Sequence, residues 1–353
     1  MRTLGLLLVI LLGIACTEAP TTEKKKVPKL SDVQILKPEG TAIITNEDGH
    51  SISFVDVSKQ ETIKTIEVGK RPRGVKVLPS QNRAYVAVSG SPKCPPWISD
   101  EECAAKKTDK SADGIAEIDL EKMEVIGIIP SGSDPEQFDV SKDGKLLYIA
   151  NEDVGKLSVV DIAKRQIIKE VEVSEEPEGV RVSPDGKIVA VTCEEEGEIA
   201  IVDTENHKLL GMVKVGERPR DLVYTKDSKT LYVTCEASGY VAVMDIADKK
   251  VVKNIQLGKG NLPVGIVLSD DEKHLYIAGG RGKSVVKVNI EPSEVIKRVT
   301  VEDRPWGLDK DLNEKLLISA NGGSGDISFI DIRKFEVVKT LKVGEGTWGV
   351  YVY

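Results

Sequence analysis

The sequence predicts an all-β protein, a seven-bladed β-propeller of four-stranded antiparallel blades. Three observations lead there. Hydrophobic residues make up 40% of the 353 residues but aromatic ones only 4%, and Val and Ile recur in short runs, which favours many brief strands over long amphipathic helices. The stretch LYVTCEASG at 231–239 repeats VAVTCEEEG at 189–197, forty-two places earlier. A proline precedes each of six short apolar runs, at Pro72, Pro135, Pro177, Pro219, Pro263 and Pro305, with Thr347 in its place in a seventh; the spacings are 63, 42, 42, 44, 42 and 42. A period of about forty to forty-five residues with several strands per unit is the mark of propeller blades.

Taken from the N-terminus, MRTLGLLLVILLGIA (1–15) joins an early cation, Arg2, to an apolar run from Leu4 to Leu12 and small residues at Gly13 and Ala15. It reads as an export signal, too short for a mature membrane span. Cys16 follows the expected cut and resembles the lipidated cysteine of bacterial lipoproteins, although Gly13 stands where that box usually carries Leu. The expectation is a lipoprotein of the periplasm or outer membrane. Residues 16–30 are polar, with Pro20, Pro28 and three consecutive lysines from Lys24, and read as a flexible tether. Loss of Arg2 with the signal takes the formal charge from −8 to −9. An acidic exported chain without a basic stripe is a poor nucleic-acid binder, so membrane contact is expected only through the lipid anchor, and the protein is expected to be a monomer.

The propeller is expected over 31–353. Each period holds a run after the Pro, a turn such as SPDG, a second run such as LYIAN, a third run ending in Asp, and a fourth ending near Gly, separated throughout by turn chemistry. Second strands fall at Ala42, Ala84, Leu147, Ile188, Leu231, Leu275 and Leu317. Third strands end at Asp56, Asp119, Asp161, Asp203, Asp245, Asn289 and Asp331. One repeat cannot bury both faces of its sheet, whereas a closed ring of seven can. First strands number eight, because a run at 32–36 precedes the others. The expected closure places the C-terminal strand in the blade built from 41–69. The 63-residue first spacing hides 21 inserted residues, an insertion loop at about 91–112.

LYVTC, LYIAN and LYIAG resemble the YVTN-type propeller repeat. SGSDPEQFDVSKDGKLLYIANED followed by EEPEGVRVSPDGK is similar to bacterial extracytoplasmic propellers associated with quinone-cofactor-dependent (PQQ) alcohol catabolism. The resemblance spans about 31–353. It implies the fold strongly and activity weakly, because related propellers include a lactonase, haem- or copper-bearing reductase domains and proteins of no assigned role.

Alternating strand direction sends the Pro loops and the NED, CEEEG and CEASG loops to one rim, the upper face, and the SPDG and Asp-ended turns to the other. Beside the repeated Pro stand Arg71 and Arg73, Asp134 and Glu136, Glu176 and Glu178, Arg218 and Arg220, then Arg304 with Trp306, and Trp348. Two readings fit these rings. In one, Arg73 pairs with Glu136 and Glu178 with Arg220 across blades, each pair contributing about 0.2–1 kcal/mol where exposed. In the other, Arg218, Arg220 and Arg304 hold an anionic group while Trp306 and Trp348 form a stacking wall; the two tryptophans serve equally as wedges between blades. The insertion carries Cys94 and Cys103, nine positions apart and expected as a disulfide in an exported protein. It also carries Trp97, a candidate contact.

Cys193 and Cys235 replace the repeat Asn that persists at Asn46, Asn151 and Asn321, and read as two buried thiols. Three histidines, His50 above and His207 and His274 below, cannot converge, which excludes a multi-His copper site. No Ser sits in a nucleophile elbow, GGRGKS at 279–284 reads as a turn, and the Asp residues ending the third strands cap their own turns. No metal, no cofactor and no catalytic set is therefore expected. The leading reading is a lipid-anchored module binding an unidentified protein or small ligand on its upper face. The alternative is a lactonase-like hydrolase, or an accessory subunit of a quinoprotein dehydrogenase, using Glu136, Glu178 and Glu194 with Arg220. That chemistry needs a carboxyl with a raised pKa.

Overall fold

The computed structural model of the protein describes residues 37–94 and 99–353. The signal, Cys16, the tether, the run at 32–36 and Trp97 lie outside them. Seven four-stranded antiparallel sheets form the seven blades. Blade 1 consists of Thr41–Asn46, Ser51–Asp56 and Glu61–Glu67, with Thr347–Val352 added as its first strand. Blades 2 to 7 follow in chain order, each a simple meander. The C-terminal strand thus closes the ring as expected, pairing Ala42 with Val352 and Ile44 with Val350.

Why a glycine stands two places after the repeated Pro, or after Thr347, in five of the seven blades is a matter of space; Gln137 and Asp221 take its place in blades 3 and 5. First strands run side by side around the centre, and Thr347–Val352 neighbours both Pro305–Lys310 and Val75–Leu78. A Cβ on Gly74 would stand 2.9 Å from the Glu136 carbonyl oxygen, and one on Gly349 2.6 Å from that of Arg73; Gly179, Gly265 and Gly307 meet Arg220, Trp306 and Trp348 in the same way. Each glycine lets its blade touch the backbone of the next. The Thr of the VTC and ITN strands completes the seam. Thr45 accepts from the Gly349 amide (2.7 Å) and donates to the Arg73 carbonyl of blade 2 (2.8 Å). Thr192 likewise joins Gly179 to the Arg220 carbonyl, and Thr234 joins Asp221 to that of Val264.

Second and third strands carry most of the core, with Phe54, Tyr85, Tyr148 and Phe329 fully enclosed between blades, joined by Phe138 from a first strand. Fourth strands are largely exposed or half-buried because they form the outer wall. They bulge by one residue against the third strand in every blade, as between Val159 and Val160, which adds to the twist of each blade. Six Asp residues end third strands and cap their turns, each accepting from a backbone amide three places on, at 2.9 Å for Asp56 and 2.7 Å for Asp331.

The insertion contains a feature the sequence reading left out, the short helix Asp100–Ala104. Ser99 and Glu102 form its capping box, and the Ser-x-x-Glu spacing was its only signal. Among the described residues no helix is long and apolar enough to cross a membrane.

Candidate functional site

Because each Pro loop repeats the same geometry, the residue after the Pro forms an inner ring at the channel mouth. In blade order from 2 round to 1 its members are Arg73, Glu136, Glu178, Arg220, Val264, Trp306 and Trp348. Four consecutive members of this ring are charged and the other three apolar. All are buried except Trp306, which is half-buried. Above it opens a funnel of about 1700 Å³, and below it the channel narrows to about 260 Å³. The residue before the Pro forms an outer ring. Arg71, Asp134, Glu176, Arg218 and Arg304 all adopt the left-handed conformation, with φ between 42° and 57°, which costs a residue with a Cβ about 1–2 kcal/mol. Recurrence in five blades makes it a property of the loop, and it sets where these charged side chains leave the backbone.

The interblade pairs form, but buried rather than exposed. Arg73 is 2% exposed. Its guanidinium donates to Glu136 (2.8 Å), Glu152 (3.1 Å), the Pro135 carbonyl (2.9 Å) and Asp134. Arg220 donates to Glu236 (2.7 Å), Glu178 and Glu194. Arg218 joins the same cluster through Glu194. Taking one partner from a buried network leaves an uncompensated charge and costs about 3–5 kcal/mol, several times the exposed-pair value. The partners Glu152, Glu194 and Glu236 come from loops between second and third strands.

Counter-ions are unevenly shared. Arg73 faces three carboxylates, and Arg218 with Arg220 face three more. Burial first, with neighbouring carboxylates adding to it, pushes Glu136 and Glu178 well above the usual carboxylate range against the pull of Arg73 and Arg220. Partial desolvation on the rim, together with Glu194, Glu152 and Glu195, pushes Glu176 up to about 7. One wall of the funnel, on blades 3 and 4, therefore holds carboxyl groups that keep protons near neutral pH.

The opposite wall is aromatic. Trp306 and Trp348 lie 6.0 Å apart between ring centroids. The guanidinium groups of Arg304 and Arg220 sit 4.9 and 5.4 Å from the Trp306 ring. Of the three arginines read as anion holders, Arg218 and Arg220 are occupied by carboxylates; Arg304 has no carboxylate within ion-pair distance among the described residues. Arg281, from the GGRGKS turn, joins Arg304 on this wall. The sequence reading passed over it because the turn follows a second strand and shares no position with the Pro loops.

The insertion walls the funnel beside blade 2. Cys94 and Cys103 are bonded, with Cα atoms 5.6 Å apart. Lys93 reaches Glu47 and Asp48 of blade 1, each at 2.9 Å, and Lys110 reaches Asp153 of blade 3. The loop is thus strapped to both neighbours. His50 stands on the upper face, where it accepts from the Arg71 amide (3.3 Å), and His207 and His274 lie on the lower one. No cluster of three His, Cys, Asp or Glu placed to hold a metal occurs among the described residues. Cys193 and Cys235 are buried free thiols.

The family model for YNCE-like β-propellers matches residues 102–183 and 183–353. The chain belongs to that family. No curated protein matches it by sequence. Among solved structures this YNCE-like propeller is similar to hydrazine synthase of Kuenenia stuttgartiensis, with 20% identity, a TM-score of 0.71, and 85% of this chain against 98% of the other covered. It is also similar to a candidate 6-phosphogluconolactonase of Bacteroides uniformis, with 16% identity, a TM-score of 0.72, and 90% against 100% covered. A functionally unknown protein of Desulfotomaculum acetoxidans matches at 14% identity and a TM-score of 0.73, with 89% against 99% covered. At such identities the likeness is one of fold.

Proposed function

We propose that this YNCE-like propeller is a lipid-anchored extracytoplasmic module that binds a small ligand in its upper-face funnel. The single observation behind it is the division of the inner ring. Its charged part is satisfied internally, while Trp306 and Trp348 line the opposite wall of an open funnel. A concave site with aromatic walls and few free polar groups suits a small ligand better than a flat protein surface. The export signal, Cys16 and the Cys94–Cys103 bond support a location outside the cytoplasm.

Native mass spectrometry of the protein from its own cells tests this reading. A bound small molecule that the Trp306→Ala variant loses by about tenfold, in proportion to one aromatic contact, is the expected outcome. An empty funnel, with a protein cross-linked to the 91–112 rim instead, replaces it with a docking role, as for an accessory subunit of a quinoprotein dehydrogenase. Labelled palmitate incorporated by the intact chain and absent from Cys16→Ser checks the anchor.

One observation favours a hydrolytic alternative. Glu176, pushed up to about 7, has the proton affinity of a general acid or base near neutral pH, and a solved neighbour bears a lactonase name. Lactone turnover abolished by Glu176→Gln supports this alternative, whereas turnover unaffected in Glu176→Gln and Glu178→Ala removes it.

A further inference from the structure

Six arginines line the funnel. Arg71 is held by Glu47, Arg73 by three carboxylates, and Arg218 and Arg220 by Glu178, Glu194 and Glu236. Arg281 and Arg304 alone have no carboxylate within ion-pair distance among the described residues. Both stand on the wall that carries Trp306.

Their placement is built in. Arg281 sits in the tight turn Gly280–Gly282. A Cβ on Gly280 would lie 2.6 Å from the Leu262 carbonyl oxygen, and one on Gly282 2.6 Å from that of Gly260. Only glycines let this turn settle onto the loop below and hold Arg281 at the funnel edge. Arg304 comes from the Pro loop of the next blade, its guanidinium 4.9 Å from the Trp306 ring centroid. Burial and the Arg281 charge both work against its protonated form; Glu47 and Glu236 partly offset them at longer range, and Arg220 adds to the repulsion. Two like charges brought together in a partly desolvated wall cost free energy that an incoming anion restores. The wall of blades 3 and 4 offers an anion no free cation, because Arg73, Arg218 and Arg220 are already held by its carboxyl groups, so a bound molecule has one orientation.

We infer that Arg281 and Arg304 form an anion-binding subsite that takes the carboxylate or phosphate of a small ligand whose flat or apolar body lies on Trp306 and Trp348. The inference rests on the funnel being the ligand site, and it names the chemistry of that ligand.

The test uses the mature protein labelled with 5-fluorotryptophan, with resonances assigned through Trp306→Phe and Trp348→Phe. Phenyl phosphate, benzoate and neutral benzyl alcohol are titrated as probes. Phenyl phosphate or benzoate shifts the Trp306 resonance, and Arg281→Gln and Arg304→Gln each weaken that binding by about tenfold, the scale of one charge-assisted contact. Benzyl alcohol binding stays unchanged in both variants. A response to only one of the two anions identifies the group the subsite takes. Arginine variants that bind the anionic probes as tightly as the parent, while benzyl alcohol still shifts Trp306, overturn the subsite and leave the funnel reading standing. If no probe perturbs either tryptophan of the folded protein, both fall. Because Arg281 is exposed, its variant is expected to keep the parental melting temperature, which separates loss of binding from loss of fold.

Discussion

Asn46, Asn151 and Asn321 close their second strands, and each bonds a serine on the third strand of the same blade: Ser53 at 3.0 Å, Ser158 at 2.6 Å and Ser328 at 2.9 Å. Where Cys193 and Cys235 replace the Asn, Ala200 and Ala242 replace the Ser. The substitution is therefore of a pair, a polar couple in three blades and an apolar one in two, and a buried amide is tolerated only where its hydroxyl partner stands. Burial pushes both thiols up to about 12, so they are inert packing groups. Cys193→Asn alone is expected to lose about 1–3 kcal/mol by burying an unpartnered amide. Adding Ala200→Ser is expected to recover more than half of that loss. Urea unfolding of the two single variants and the double variant measures the coupling, and a double variant no better than the sum of its parts would falsify the pairing.

At the scale of the element, the glycine two places after the repeated Pro sets how closely first strands approach. Gly307→Ala drives a Cβ into the Trp348 carbonyl at the seam between blade 7 and the closing strand. The expected cost is about 1–3 kcal/mol, typical of overpacking, read as a lower urea midpoint with an unchanged m-value; a parental midpoint means the seam can shift to accept the methyl. The Pro-x-Gly spacing and the alternation of turn and apolar run made strand order, blade number and ring closure legible in the sequence, because each blade repeats one local solution. The partners of the ring charges were less legible. Arg73 binds residues 61, 63 and 79 positions away, on the first strand and loops of the neighbouring blade, whose position relative to Arg73 the period does not encode. Burial was hidden for the same reason, so pairs expected at a solvated rim lie buried at the funnel floor. Arg281 escaped because its turn shares no position with the Pro loops, and its nearness to Arg304 is set by blade-to-blade packing. The helix Asp100–Ala104 falls in the one segment without the repeat.

Across the whole molecule, two populations of acids respond oppositely to pH: the lower-face turn caps, joined on the upper face by Glu47 and Asp134, are held low, and a second set on the upper face is raised. On the lower face, backbone hydrogen bonds and the Arg83 charge hold Asp119, and the Lys164 side chain with its backbone amide holds Asp161, below the usual carboxylate range. Their contribution is present above the ordinary value of 3.8 and is lost as pH falls through the depressed one. On the upper face Glu136, Glu176 and Glu178 are raised. The folded state then binds more protons than the unfolded chain, so this contribution is complete below the ordinary value of 4.5 and is lost as pH rises. For Glu176 the window runs from 4.5 to about 7, and the effect is modest because its side chain is exposed. Glu136 and Glu178 extend the loss to higher pH. The melting temperature is accordingly expected to peak at mildly acidic pH, about 5, and to decline towards pH 8. In Glu136→Gln a permanently neutral amide stands where the parent holds a proton, so the alkaline decline should flatten while the acid limb, set by the acids held low on both faces, stays in place. Calorimetric scans from pH 4 to 8 decide the matter: a parental melting temperature that rises from pH 5 to 8, or an alkaline slope unchanged in the variant, means the buried acids of the funnel floor are ionised and fully matched by Arg73 and Arg220.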